Sequence, residues 1–112
     1  KVARAREVST PSGKQGEVLI DDRPVFYLRT TFGGKSAYDR AKIVANRLDR
    51  MLEKDLKPNE LEIERRGDSW CIIARGEVLV SLDSVEAKAH GMPPKKLVEI
   101  WRGNLEQVLR GQ

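Results

Sequence analysis

Few side chains in this sequence are of a kind that does chemistry, and their spacing limits what they could do. His90 is the sole histidine among 112 residues, and Cys71 is the sole cysteine. A metal site needs three or four ligands at short spacing, and no second Cys or His stands near either residue. An internal disulfide is excluded by the count alone. His90 directly precedes Gly91, a helix-closing residue, where the helix dipole favours an imidazolium. It reads as a surface C-terminal cap in preference to a general base. Cys71 lies between Trp70 and Ile72 in an apolar run. A reactive thiol needs an accessible, electropositive setting and a nearby base, which the local sequence does not supply. Cys71 therefore reads as a small core residue.

The carboxylates sort the same way. Asp21 and Asp22 are neighbours, and adjacent residues of a strand or turn point apart. Asp83 and Glu86 have the spacing of one helical turn, which is also the spacing of an N-terminal cap. General acid–base work needs one desolvated and one ionised carboxyl, and no pair here has an apolar surround. Gly33-Gly34-Lys35-Ser36 ends like a phosphate-binding loop, but the first glycine of that pattern would fall at Arg29. The stretch reads as a flexible turn ahead of a helix. Arg66-Gly67-Asp68 spells an adhesion tripeptide and is also what a turn between two strands requires. Phe26, Tyr27 and Arg29 interleave aromatic and basic character without the platform that stacks bases. No catalytic, metal-ligating or cofactor-binding residue emerges, and an enzyme is disfavoured.

Composition agrees with a folded unit. A hydrophobic fraction of 39% with 34% charged residues is ordinary for a globular protein, and 112 residues suffice for one core. The longest apolar runs, such as Val78-Leu79-Val80, are too short to cross a bilayer. The chain starts at Lys1 without a signal-peptide pattern, as a processed protein or an excised fragment would. Of the net charge of +4, Lys1, Arg4, Arg6 and Lys14 against Glu7 place +3 on residues 1–15, leaving +1 for the rest. A nucleic-acid domain concentrates charge on a folded face. Residues 1–15 instead read as a flexible basic tail or linker, with Pro11-Ser12-Gly13 as a breaker.

Residues 16–112 read as a single α+β domain. Val18–Ile20 and Val25–Thr30 have strand character and meet at Asp21-Asp22, with Pro24 assigning the second to a sheet edge. Ser36 caps a helix whose apolar positions Ala37, Ala41, Val44, Ala45, Leu48, Met51 and Leu52 share one face. Pro58-Asn59 ends it. Three strands follow over Glu60–Glu64, Trp70–Ala74 and Val78–Leu82, the middle one covered on both sides. Asp83 opens a short helix that Gly91 closes, and Pro93-Pro94 starts the last one. Its stripe is Leu97, Val98, Trp101, Leu105, Val108 and Leu109. The expected order is ββαβββαα: an antiparallel or mixed sheet of about five strands with helices packed on it, and no internal repeat.

Three stretches carry a resemblance: VLIDDRPVFYLR, SAYDRAKIVANRL, and EVLVSLDSVEAKAHGMPPKKLVEIWRGNLEQVL. The hydrophobic–Asp–x–Arg–Pro hairpin, the helix carrying Asp39-Arg40-Ala41 and the Asp83-to-Leu109 helical end resemble an extracytoplasmic N-terminal domain. That domain precedes the membrane spans of some bacterial small-conductance mechanosensitive channel proteins. The resemblance covers roughly residues 16–110 and departs from the usual Asp-Gly turn at Asp22. It implies a non-catalytic accessory or interaction domain on the periplasmic side of the envelope, without cofactors. Its partners would be the attached membrane region, envelope proteins or further copies of itself. The candidate partner contact is the edge hairpin at Arg23, Tyr27 and Arg29. The alternative is an anionic-ligand module that binds nucleic acid or an acidic lipid surface through the basic tail, with nucleic acid the less favoured.

Overall fold

The computed structural model describes residues 1–111, and it begins with a strand where a loose tail is expected. Strand β1, Ala3–Thr10, pairs antiparallel with β2, Gly13–Ile20. The ladder runs without interruption from Ala3 opposite Ile20 to Thr10 opposite Gly13. The basic tail over residues 1–15 is thereby corrected: most of it is sheet. Its charges are taken up across the ladder, where Arg6 Nη2 lies 2.6 Å from Glu17 Oε1 and Lys14 Nζ 3.8 Å from Glu7. Arg4 reaches Asp22 in the next turn at 2.6 Å.

Strand β3, Arg23–Leu28, completes a sheet ordered β1-β2-β3, and helix α1, Ala37–Glu53, packs on it. Register assigns Gly16, Val18 and Ile20 of β2 to one face, with Ala3 and Ala5 of β1 and Phe26 and Leu28 of β3 beside them. That is the face α1 covers, because Gly16 lies against Ala37 and Ala41 of the helix. Val18, Ile20, Phe26 and Leu28 meet Ala41, Val44, Ala45, Leu48 and Met51 as the buried residues of these elements. Ser36 Oγ accepts the Asp39 N–H at 3.1 Å and caps the helix as its sequence implies. The helix ends at Lys54, whose N–H turns back to Met51 O at 3.0 Å, before Pro58 is reached.

The second compact unit starts at Leu56. A 3₁₀ turn over Pro58–Glu60 leads to β4, Glu62–Arg66, then β5, Ser69–Ala74, and β6, Glu77–Leu82, in a sheet ordered β4-β5-β6. The central strand β5 is buried at Cys71, Ile72, Ile73 and Ala74 in succession. Helix α2, Ser84–Ala89, is capped by Asp83 Oδ1 accepting the Glu86 N–H at 2.9 Å, and Gly91 follows at φ +72°. Helix α3, Pro94–Leu109, buries Leu97, Val98, Trp101, Leu105 and Val108. The class is α+β, but the strands form two three-stranded antiparallel sheets in two compact units. The order is βββαβββαα, because β1 supplies a strand that the sequence hides.

The two units also share a hairpin geometry that the sequence, without an internal repeat, does not show. In the first unit Ile20 pairs Arg23, Leu19 pairs Pro24, and Val18 pairs Phe26, so Val25 is an extra, bulged residue. In the second, Ala74 pairs Glu77, Ile73 pairs Val78, and Ile72 pairs Val80, so Leu79 is the extra one. Both hairpins turn through two residues of positive φ, Asp21-Asp22 and Arg75-Gly76. Val18–Leu28 and Ile72–Leu82 thus share one hairpin plan, with an identical residue only at Leu28 and Leu82.

Gly16 gives this frame a sharp test. A Cβ there would strike the Ala37 carbonyl and sit 2.9 Å from Ala41 Cβ, which a helix backbone cannot give way to cheaply. Gly16→Ala is expected to lower unfolding stability by about 1–3 kcal/mol, read as a shift of the urea midpoint.

Candidate functional site

In the second unit, α2 brings together the one buried acid–base pair that the described residues offer. Glu86 and His90 are four apart, so a helical turn stacks them on one face. His90 Nε2 lies 2.7 Å from Glu86 Oε2. Trp101 of α3 meets the imidazole edge-on, with ring centroids 5.9 Å apart. The Glu86 side chain has no exposed area and that of His90 retains 7%. His90 is indeed the C-cap of its helix, but the surface reading of its side chain is corrected. The ring turns inward because Glu86 is already beneath it and Trp101 supplies an apolar wall. Glu86 likewise does more than flank a cap: its backbone N–H serves Asp83 while its carboxylate holds the histidine.

A carboxylate on one imidazole nitrogen fixes the orientation of the ring, which is half of a catalytic triad. The other half needs a nitrogen open to substrate and a nucleophile within reach, and this side chain keeps only 7% of its surface exposed. Cys71 is buried in β5, and burial pushes its thiol above the ordinary value. Among the described residues, no three His, Cys, Asp or Glu side chains gather closely enough to hold a metal ion. Of the turn motifs, Gly67-Asp68 joins β4 to β5, and Asp68 Oδ2 accepts the Ser84 hydroxyl at 3.2 Å.

The candidate contact residues separate. Arg23 is opposite Ile20, on the side that α1 covers, whereas Tyr27 is opposite Glu17, on the other face. In an unbroken strand the odd positions 23, 27 and 29 would share a face; the bulge at Val25 reverses the alternation between them. Arg29 lies one residue beyond β3. The segment that sequence reading treats as a flexible turn is instead hydrogen-bonded. Phe32 N–H donates to Lys35 O and Lys35 N–H to Phe32 O, both at 3.0 Å, around Gly33-Gly34. Arg40 braces its base through Nη1 to Thr30 O at 2.6 Å, and its guanidinium lies 5.8 Å from the Phe32 ring centroid. The sequence presents this loop as flexible and does not join the buried pair. Glu86-x-x-x-His90 was the visible signal for the pair, whereas nothing local betrays the rigidity of the loop.

Two measurements follow from these contacts. Removing one member of the buried pair by Glu86→Ala or His90→Ala is expected to cost about 3 kcal/mol. Replacing both, as Glu86→Met with His90→Leu, recovers most of that loss, as urea unfolding of all three variants will read. Separately, Glu60 accepts from Arg75 Nε at 2.7 Å and Arg75 Nη2 at 3.1 Å. The Arg75 hydrogen bond is the main cause holding the Glu60 carboxyl below its ordinary value. Its stabilisation is complete above the unfolded-state value and disappears as pH falls through the lower folded value. Glu60→Gln should therefore lower stability slightly at neutral pH, leave it unchanged below the folded-state value, and so flatten the acid limb of the stability–pH curve.

No helix among the described residues is long and apolar enough to cross a membrane. No curated protein and no solved structure matches the chain. Residues 17–112 match the model of a family described as a domain of unknown function, DUF8459. The match begins within β2, leaving β1 outside it, and spans both compact units. By that match, the chain belongs to the DUF8459 family.

Proposed function

We propose that this chain is a non-catalytic interaction module that serves a bacterial membrane protein from the extracytoplasmic side. The resemblance to the accessory domains of small-conductance mechanosensitive channel proteins gives the reading its direction. The observation that carries it is the enclosure of the Glu86–His90 pair, with side-chain exposures of 0% and 7%. The one arrangement with acid–base character is spent on joining α2 to α3, and a proton-transfer group would need an open nitrogen. The remaining ionic contacts lie largely at the surface, as in Arg4–Asp22 and Arg110–Glu106. Such contacts hold a shape and contribute little else.

Contact in this reading is made by sheet edges and loops. The β3 edge is blunted by Pro24 and the Val25 bulge, which oppose strand addition. Tyr27 and Arg29 therefore act through side chains. The alternative anionic-ligand reading through residues 1–15 loses support, because Arg4 and Arg6 are engaged with Asp22 and Glu17.

The parent protein supplies the test. Deleting residues 1–112 should alter gating, assembly or localisation, and no change in any of the three would remove the basis for an accessory role. A folded His90→Asn variant should behave as the parent does in the same assays. Loss of function with the fold intact would return His90 to the list of chemical groups.

A further inference from the structure

The loop between β3 and α1 has a construction that the accessory-domain reading leaves unused. Phe32 is 61% exposed, among the most exposed large apolar side chains of the described residues. It is not on a loose segment. Gly33 and Gly34, at φ +58° and +77°, form a two-residue corner, and two backbone hydrogen bonds close Phe32 against Lys35. The base is clamped by Arg40 to Thr30, through both its carbonyl at 2.6 Å and its hydroxyl at 3.0 Å. A phenyl ring is thus held outward on a rigid corner whose two central residues have no side chains.

Around that ring the chain is basic and aromatic. Arg29, Lys35 and Arg40 fall between residues 29 and 40, and Lys42 just beyond them is paired with Asp39 at 3.2 Å. Arg40 lies over the Phe32 ring, and Lys42 Nζ lies 4.7 Å from the centroid of Tyr38 in the first turns of α1. A protruding apolar tip, a collar of cations and a neighbouring tyrosine are what the boundary of an anionic bilayer selects. The ring enters the acyl region, the cations meet headgroup phosphates, and the phenol sits at the wet boundary.

We propose that the Phe32–Lys35 corner docks the first unit on a membrane surface bearing anionic lipid. A nucleic acid fits less well, because one exposed phenyl ring and one half-buried tyrosine offer no row of stacking platforms. The inference is independent of whether the chain serves a channel.

Flotation of the full chain with phosphatidylglycerol-containing vesicles, and with pure phosphatidylcholine vesicles, tests it. The expected result is partition to the anionic vesicles, weakened by added salt. Phe32→Ala should reduce that partition about tenfold, and Lys35→Gln about fivefold. Both residues are exposed, so thermal unfolding should be unchanged. Phe32→Trp should retain partition and gain fluorescence quenching by brominated acyl chains beyond that of the parent. Val85→Ala, at a residue 60% exposed in the second unit, should leave partition unchanged. No partition of the parent at low salt overturns the proposal. So does an equal loss from Val85→Ala, or a DNA duplex bound as tightly as the vesicles and weakened equally by Phe32→Ala.

Discussion

The frame of each unit depends on a corner of two residues that both occupy the left-handed region of the backbone. Asp21 and Asp22 hold φ at 47° and 69°, and Arg75 and Gly76 at 52° and 77°. A corner of that hand twists in the same sense as the strands it joins, so the hairpin closes without splaying. It also pins the register, with Ile20 opposite Arg23 and Ala74 opposite Glu77. A slip of one residue would turn Val18 and Ile20 away from α1 and set Glu17 against the helix in their place. The bulges at Val25 and Leu79 then let two successive residues be buried in each third strand, Val25 with Phe26 and Leu79 with Val80. Three of the four corner residues are not glycine, and each holds a conformation costing roughly 1–2 kcal/mol. The packing of the hairpins outweighs that cost.

Since the hairpins share one plan, the units differ chiefly in how the third strand is joined to the long helix. In the first unit residues 29–36 make the short glycine corner that presents Phe32. In the second, residues 83–93 fold into α2 and enclose Glu86 and His90 beside Trp101. Both features that stand apart from ordinary packing therefore lie in connections. Connections are where a rigid scaffold can vary without loss of its core. One connection is turned outward and basic, the other inward and closed.

The charge of the chain illustrates how composition misleads when pairing is ignored. Residues 1–15 look like a cationic tail because their partners, Glu17 and Asp22, lie farther along the sequence. Once β1 is in the ladder the excess is local and largely matched. The exposed Arg4–Asp22 pair contributes about 0–1 kcal/mol, whereas Glu17 is buried and holds Arg6 in a half-buried pair. The buried Glu86–His90 pair is the opposite case to Arg4–Asp22, since a carboxylate without water needs its partner.

Much of the architecture was legible in the sequence. The spacing of Ala41, Val44, Leu48 and Met51, the Ser36 and Asp83 caps, and the apolar run of β5 locate α1, α2 and the second sheet. Local physics governs each of them: helical periodicity, a cap hydrogen bond, burial of successive apolar residues. What the sequence left hidden depends on partners distant along the chain. Ala3 and Ala5 are weak strand formers, and β1 exists because β2 supplies a ladder and α1 a surface for small residues. The kinship of the two hairpins lies in backbone dihedrals and pairing, which unrelated side chains satisfy equally well. The separation of Arg23 from Tyr27, the sealing of His90 and the rigidity of the Phe32 corner were likewise decided by register, packing and backbone hydrogen bonds. Sequence determined which segments could form and which faces were apolar. Only the folded chain determined which charges were matched and which ring was left facing out, because both depend on neighbours brought together by folding.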